Sequence, residues 1–209
     1  MSFLNTINNK CALVIGINYE GKQGAELNGC INDTIKVKNF LKSRCNYKDE
    51  EIDLLTDNTS VKPTKQNIIN SINRLVSRVK STNSKEVWFS YSGHGSYLSS
   101  YAGVEEVDNQ DEALVPLDYD TSGLIRDDTL HDILVKKLPQ DCNLFCIIDA
   151  CHSGTALDLP YIYRTDTGLK TQVSKEPEAN IVKISGCRDS QTSADAYING
   201  KYQEAMTFS

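Results

Sequence analysis

The chain has 209 residues, of which 39% are hydrophobic and 24% charged, and a formal net charge of -6 at pH 7. That length suits one domain with a substantial core, the acidic balance argues against a general nucleic-acid binder, and no apolar run is long enough to cross a membrane. The seven cysteines include no C-x-x-C pair and the N-terminus has no signal-like apolar stretch, so buried free thiols in a reducing cytosol are expected.

Residues 11–17 (CALVIGI) read as a first buried strand. A glycine-rich loop, 21–29, has no phosphate-binding spacing. Asn32 or Asp33 can cap a helix that carries Ile35, Phe40 and Leu41 toward the core. Residues 51–55 form a short strand. Pro63 and Thr64 then open a long amphipathic helix with Ile68, Ile69, Ile72, Leu75, Val76 and Val79 on one face. The run 86–91 (EVWFSY) is a strand that delivers Ser92, Gly93, His94 and Gly95 at its carboxyl end. An irregular polar stretch, 96–111, and a short strand, 113–117, follow. Asp127 or Asp128 caps a helix holding Leu130, Ile133, Leu134 and Leu138. Residues 144–148 (LFCII) have the composition of a strand buried on both faces, and they run straight into Asp149, Ala150, Cys151, His152, Ser153 and Gly154. A polar, mobile linker is expected over 155–180, then a last clear strand over 181–185. Strands alternating with helices predict an α/β domain with a mainly parallel sheet, whose ligand crevice lies at the carboxyl ends of the strands.

Two of those strands deliver a histidine and a cysteine to that edge. A thiol with a free pKa of about 8.5 is mostly protonated at neutral pH, so an imidazole is needed to generate the thiolate. Cys151 would attack a scissile carbonyl, and His94 would handle the proton and then protonate the leaving amine. His152, next to the nucleophile, points to the opposite face of an extended chain, which favours His94 as the base. His131 reads as a surface or packing residue.

YSGHG at 91–95 and DACHSGT at 149–155 resemble the histidine and cysteine boxes of metacaspases, the caspase-like cysteine peptidases. ELNGCIND (26–33), DEALVPLDY (111–119), Asp127–Asp128, LDLPY (157–161) and ISGCRDSQTSADA (184–196) are similar to further boxes, in the same order. The resemblance implies a single caspase-like sandwich over 1–209, with a mainly parallel central sheet flanked by helices on both faces. Residues 1–154 would be the large-subunit-like part, 155–180 the linker and 181–209 the start of the small-subunit-like part. Only about ten residues precede the first strand, so a long prodomain is not expected, and the end at 205–209 is expected to fall inside the closing helix of the domain.

The same resemblance implies an oxyanion hole from the backbone N–H groups of Gly95 and Cys151. It implies an acidic S1 pocket of Cys30, Asp33, Ser92 and Asp149 that takes Arg or Lys at P1, since a buried guanidinium needs a charge-matched partner. Taken alone, Asp33 reads as a helix cap and Asp149 as a strand-end cap. Asp111, Asp127 and Asp128 are the implied Ca²⁺ ligands, an oxygen-only set; the alternative is that Asp127 and Asp128 cap a helix and Asp111 is a solvated loop charge. Zinc is not expected, because no cysteine–histidine cluster has structural spacing. The expected protein is therefore a cytoplasmic, monomeric, calcium-dependent cysteine endopeptidase acting on proteins or peptides, with no nucleic-acid or membrane partner. Arg164, Lys170 and Lys175 offer sites for self-cleavage. The competing reading is a catalytically silent caspase-like interaction module.

Overall fold

A computed structural model describes residues 9–99, 110–150, 157, 159–164, 168–171, 177–186, 195–198 and 201–204. At 97–99, 110, 111, 162–164, 170 and the last two segments it describes the backbone only.

The first half alternates strand and helix: β1 (Lys10–Gly16), α1 (Cys30–Arg44), β2 (Ile52–Thr56), α2 (Lys65–Thr82) and β3 (Glu86–Ser92). Next come β4 (Gly95–Ser99), β5 (Gln110–Leu114), the single turn α3 (Tyr119–Ser122), β6 (Ile125–Arg126), α4 (Asp127–Ile133) and β7 (Asn143–Asp149). The chain continues through β8 (Tyr161–Arg164), β9 (Gly168–Thr171), β10 (Asn180–Ser185), β11 (Asp195–Ile198) and β12 (Lys201–Glu204). Five strands form one parallel sheet in the order β10-β7-β3-β1-β2. The histidine-bearing and cysteine-bearing strands, β3 and β7, are neighbours near its centre.

Side chains alternate between the two faces of this sheet. Leu13, Ile15, Phe89, Tyr91, Cys146 and Ile148 point toward α2 and α4, where they join Ile68, Ile72, Leu75, Val79, Leu130 and Leu134 in the main core. Burying one such aliphatic side chain contributes about 1.5–3 kcal/mol, against about 1 kcal/mol for an N-cap. Packing therefore holds α2 in place, and the Thr64 side chain, which accepts from Asn67 N–H at 3.3 Å, sets where it begins. On the other face Ala12, Val14 and Trp88 pack against Leu41 of α1. Helices thus flank both faces. On the α1 face, register aligns Ala12, Trp88, Phe145 and Val182 in one row. Exposure along that row rises from 0% at Ala12 to 56% at Val182, so α1 shields the β1 side and leaves the β10 side open.

Several sequence expectations are corrected. Neither Asn32 nor Asp33 caps α1: Gly29 is its N-cap, with no side-chain cap bond, and Asp33 is a buried residue of the first turn. Leu41 is buried as expected, whereas Ile35 and Phe40 are 45% and 47% exposed, because α1 turns Cys30, Asp33, Thr34 and Leu41 inward. Arg126, not an aspartate, is the N-cap of α4. The stretch expected to be irregular contributes β4 and the start of β5, which pair antiparallel. β5 ends at Leu114 rather than running to 117, as the Val115 N–H turns to the His94 carbonyl at 3.2 Å and the Leu117 N–H to that of Pro63 at 3.0 Å. The expected linker holds a two-stranded hairpin, β8–β9, carrying Arg164 and Lys170; Lys175 lies outside the described residues.

Candidate functional site

β3 ends at Ser92, and His94 leaves the sheet after Gly93, whose N–H donates to the Asp149 carbonyl of β7 at 3.2 Å. A β-carbon at 93 would stand 2.8 Å from the Tyr91 hydroxyl and 3.0 Å from that of Tyr19, so the turn requires glycine. Both phenols hold the His94 backbone. Its N–H donates to Tyr19 Oη at 2.9 Å, and Tyr91 Oη donates to its carbonyl at 2.9 Å. The Tyr19 hydroxyl donates to the Val115 carbonyl at 2.7 Å. Burial, with the neighbouring Tyr91, pushes the Tyr19 phenol well above its ordinary pKa; burial likewise raises Tyr91. Both stay protonated and keep their donor hydrogens at working pH.

The His94 ring is half-buried. It packs on the Tyr19 ring with centroids 4.7 Å apart, and its Nε2 lies 2.9 Å from the Ala25 carbonyl oxygen. A carbonyl only accepts, so Nε2 carries the hydrogen; in the neutral ring the lone pair then sits on Nδ1. An imidazole fixed in this way can take a proton at one defined atom. Gly95 opens β4 opposite Leu114. Cys151, the expected nucleophile and second oxyanion donor, lies outside the described residues, as do His152 and Ser153. The chain reaches that position directly from Asp149 and Ala150, both buried at the carboxyl end of β7.

The four residues expected to receive a basic side chain converge on the same edge. In the register of the sheet Ser92 stands between Gly16 of β1 and Asp149 of β7. Cys30 and Asp33 lie in the first turn of α1, which crosses the end of β1 so closely that a β-carbon at Gly16 would sit 1.9 Å from Thr34 Oγ1 and 2.7 Å from the Cys30 carbonyl oxygen. Cys30, Asp33, Ser92 and Asp149 are all buried, and Ser92 Oγ has no hydrogen-bond partner among the described residues. Lys36 Nζ lies 3.3 Å from Asp33 Oδ1, one turn along α1. Two buried carboxylates and a hydroxyl at one end of the sheet are groups of the kind that hydrogen-bond a cation.

The second carboxylate set lies on β5 and α4. Asp127 is buried; its Oδ1 accepts from the Asp128 N–H at 2.8 Å and its Oδ2 from the Glu112 N–H at 3.2 Å. Asp128 is exposed, and Asp111 precedes Glu112 in β5, the strand paired with β6 just before Asp127. Among the described residues no group of three acidic, histidine or cysteine side chains is close enough to hold a metal ion; the Asp111 side chain is not among them. Both carboxylate oxygens of Asp127 already accept backbone amides, and Asp128 lies beside it at the surface; carboxylate oxygens are the donor type that a hard cation such as Ca²⁺ takes.

His131 is a packing residue: it is buried, with Nδ1 2.8 Å from the Leu157 carbonyl, and it ties α4 to the segment beyond Cys151. Sequence reasoning missed Tyr19, Ala25 and Tyr91 as contacts of His94. Ala25 acts through its backbone, which no residue type reveals. A signal for Tyr19 was present, since a large aromatic stands three residues beyond the end of a buried strand.

A family model described as "Metacaspase, peptidase C14 domain" matches residues 10–160. Metacaspase-1 of Mycosarcoma maydis is 38% identical over 248 residues, an alignment that takes in 94% of this chain and 60% of that protein. Metacaspase-1 of Debaryomyces hansenii is 35% identical over 258 residues, covering 99% of this chain and 58% of the relative. The chain thus spans about three-fifths of the length of these curated relatives. In fold it is similar to the crystal structure of protein GSU0716 from Geobacter sulfurreducens, with a TM-score of 0.64 at 23% identity, over 96% of this chain and 79% of the other.

Proposed function

This chain belongs to the metacaspase family, and from that premise we propose that it is a calcium-dependent cysteine endopeptidase cutting after arginine or lysine. The observation that carries the reading is the hydrogen bond from His94 Nε2 to the Ala25 carbonyl, which leaves Nδ1 as the basic atom of a histidine that follows β3, the strand paired with the one leading to Cys151. In this mechanism Nδ1 takes the thiol proton as Cys151 Sγ attacks the scissile carbonyl carbon. The tetrahedral oxyanion is stabilised by the backbone N–H groups of Gly95 and Cys151. As the C–N bond breaks, the proton on Nδ1 passes to the leaving amine, and a thioester remains on Cys151. Water, deprotonated by the same Nδ1, hydrolyses the thioester and restores the thiol.

Cys30, Asp33, Ser92 and Asp149 form the proposed S1 pocket. A guanidinium or ammonium entering it would be attracted by the negative charge of the two buried carboxylates, whereas an aspartate at P1 would be repelled. Asp111, Asp127 and Asp128 would hold Ca²⁺, which neutralises the carboxylates between β5 and α4. The same proposal makes the chain a cytosolic monomer; support for a reducing compartment comes from five described cysteines that are free thiols, four of them buried.

The test is hydrolysis of paired fluorogenic peptides ending in arginine and in aspartate, with Ca²⁺ or with chelator. Cleavage of the arginine peptide only with Ca²⁺ is expected. Cleavage after aspartate overturns the pocket assignment, and cleavage of neither peptide by folded protein overturns the proposal.

A further inference from the structure

We infer that Asp57 is a positioning residue for His94, acting through the loop between β1 and α1. The inference rests on the reading of His94 as the acid–base residue. Asp57 follows β2 directly and is 4% exposed. Its Oδ1 accepts from the Asn18 N–H and its Oδ2 from the Glu20 N–H, both at 2.9 Å. Between those two amides stands Tyr19, a non-glycine residue held at φ 56°. The left-handed conformation is unfavourable for a residue with a β-carbon, so it persists only where the surroundings impose it. Here the constraint is one carboxylate bonded to the amides on both sides.

From this anchor the loop runs by backbone bonds to the histidine. Lys22 N–H donates to the Tyr19 carbonyl and Ala25 N–H to that of Lys22, each at 2.9 Å, while Leu27 N–H closes back on Asn18 at 2.8 Å. The same loop carries both contacts that orient His94, the Tyr19 hydroxyl on its N–H and the Ala25 carbonyl on its Nε2. The Asn18 side chain also takes the Ile31 N–H in the first turn of α1, at 3.2 Å. Asp57 itself is fixed from outside, where the exposed Lys62 donates its ammonium to the Asp57 carbonyl. Only a group with two acceptor oxygens can serve both amides. The substitution Asp57→Asn turns one acceptor into an NH₂ facing an N–H, which releases one side of Tyr19 and lets the Ala25 carbonyl drift from the ring.

The experiment uses the full chain with Asp57→Asn and, as a milder change at an exposed position, Lys62→Met. In a Cys151→Ala background, ring ¹⁵N chemical shifts report the tautomer of His94, which is readily assigned among three histidines. Wild type is expected as the Nε2–H tautomer, Asp57→Asn as a mixture, and Lys62→Met as a smaller shift the same way, with His131 unchanged. With Cys151 present, Asp57→Asn is expected to lower kcat on an arginine peptide by about 10- to 100-fold, the range of partial loss of general acid–base help, with KM within about twofold. A folded Asp57→Asn protein that keeps the Nε2–H tautomer and its kcat overturns the inference, as does a rise in KM alone. If Asp57→Asn does not fold, an unshifted His94 tautomer in Lys62→Met overturns it. The tautomer needs no turnover, so a chain that cleaves neither peptide would sink the proposed activity and still decide the role of Asp57.

Discussion

His94 and Ala25 meet through a ring nitrogen and a backbone oxygen, 2.9 Å apart, with no carboxylate taking part in the contact. The group that orients the imidazole is therefore part of the main chain. Ala25→Ser should leave kcat within about twofold, since the carbonyl is untouched, whereas His94→Ala should lower it by about 10²–10⁴-fold. Steady-state kinetics on an arginine peptide checks both. A large loss in Ala25→Ser would mean that the methyl group, not the carbonyl, matters.

The proposed S1 pocket makes opposite predictions for its two signs of charge. Asp149→Asn or Asp33→Asn removes a charge-assisted partner worth about 1.5–3 kcal/mol, so kcat/KM for an arginine peptide should fall by roughly 10- to 100-fold. Lys36, 3.3 Å from Asp33 Oδ1, offsets part of the pocket's negative charge. Lys36→Met should therefore lower KM for the same peptide, by at most about fivefold for so exposed a pair. An unchanged or raised KM would remove Lys36 from the account of specificity.

Gly16→Ala tests how closely α1 must approach the sheet. The added methyl group meets the Cys30 carbonyl and the Thr34 side chain inside contact distance. Overpacking of this kind costs about 1–3 kcal/mol. Denaturant melts should show that loss, and the displaced first turn of α1 should raise KM for arginine peptides.

Burial pushes the Cys146 thiol up to about 12 and the Cys142 thiol to about 11. A thiol near about 8.5 in the unfolded chain ionises first as pH rises, so the unfolded state sheds protons before the native one. These groups contribute full stability below about pH 8.5 and lose it progressively as pH climbs through their native values. The raised Tyr19 and Tyr91 phenols act in the same direction. Melting temperature should be flat near neutrality and fall in strong alkali. Iodoacetamide at pH 7.5 should leave Cys142 and Cys146 unmodified until the chain unfolds.

For the second carboxylate set, Asp128→Asn is the informative change, because Asp128 is exposed while Asp127 also holds two backbone amides. Ca²⁺ at about 100 times its Kd should stabilise wild type by about 2.7 kcal/mol. That shift in melting temperature should shrink in Asp128→Asn, and chelator should abolish it in wild type. Equal shifts in both proteins would dissociate Asp128 from calcium.

The architecture was legible because its strongest signals are local. The apolar runs at 11–17, 86–91 and 144–148 name the central strands, and the stripe from Ile68 to Val79 names α2. The placement of Ser92 and Asp149 at the carboxyl ends of neighbouring strands, with His94 just beyond Ser92, was legible because each follows an apolar run. The site was illegible where the main chain does the work: nothing in an alanine shows that its carbonyl faces a ring. Asp33 illustrates a different limit. Its position suits a cap, but Gly29 already opens α1, and that leaves the carboxylate to turn inward. Ile35 and Phe40 were misplaced because α1 meets the sheet over a narrow stripe centred on small and polar residues.

Strand order also carries a history of assembly. β1 sits between β2 and β3, so the first 92 residues already contain a complete βαβαβ unit with its own pairings. β7 and β10 join later, on one side only, as the ribosome delivers them. The half that holds His94, Tyr19, Asp57 and the first turn of α1 can thus be in place before Cys151 has been synthesised. The thiol follows the end of β7, the strand that pairs with β3 on the side away from β1. The proposed pair of His94 and Cys151 can therefore form only once β7 has paired with β3.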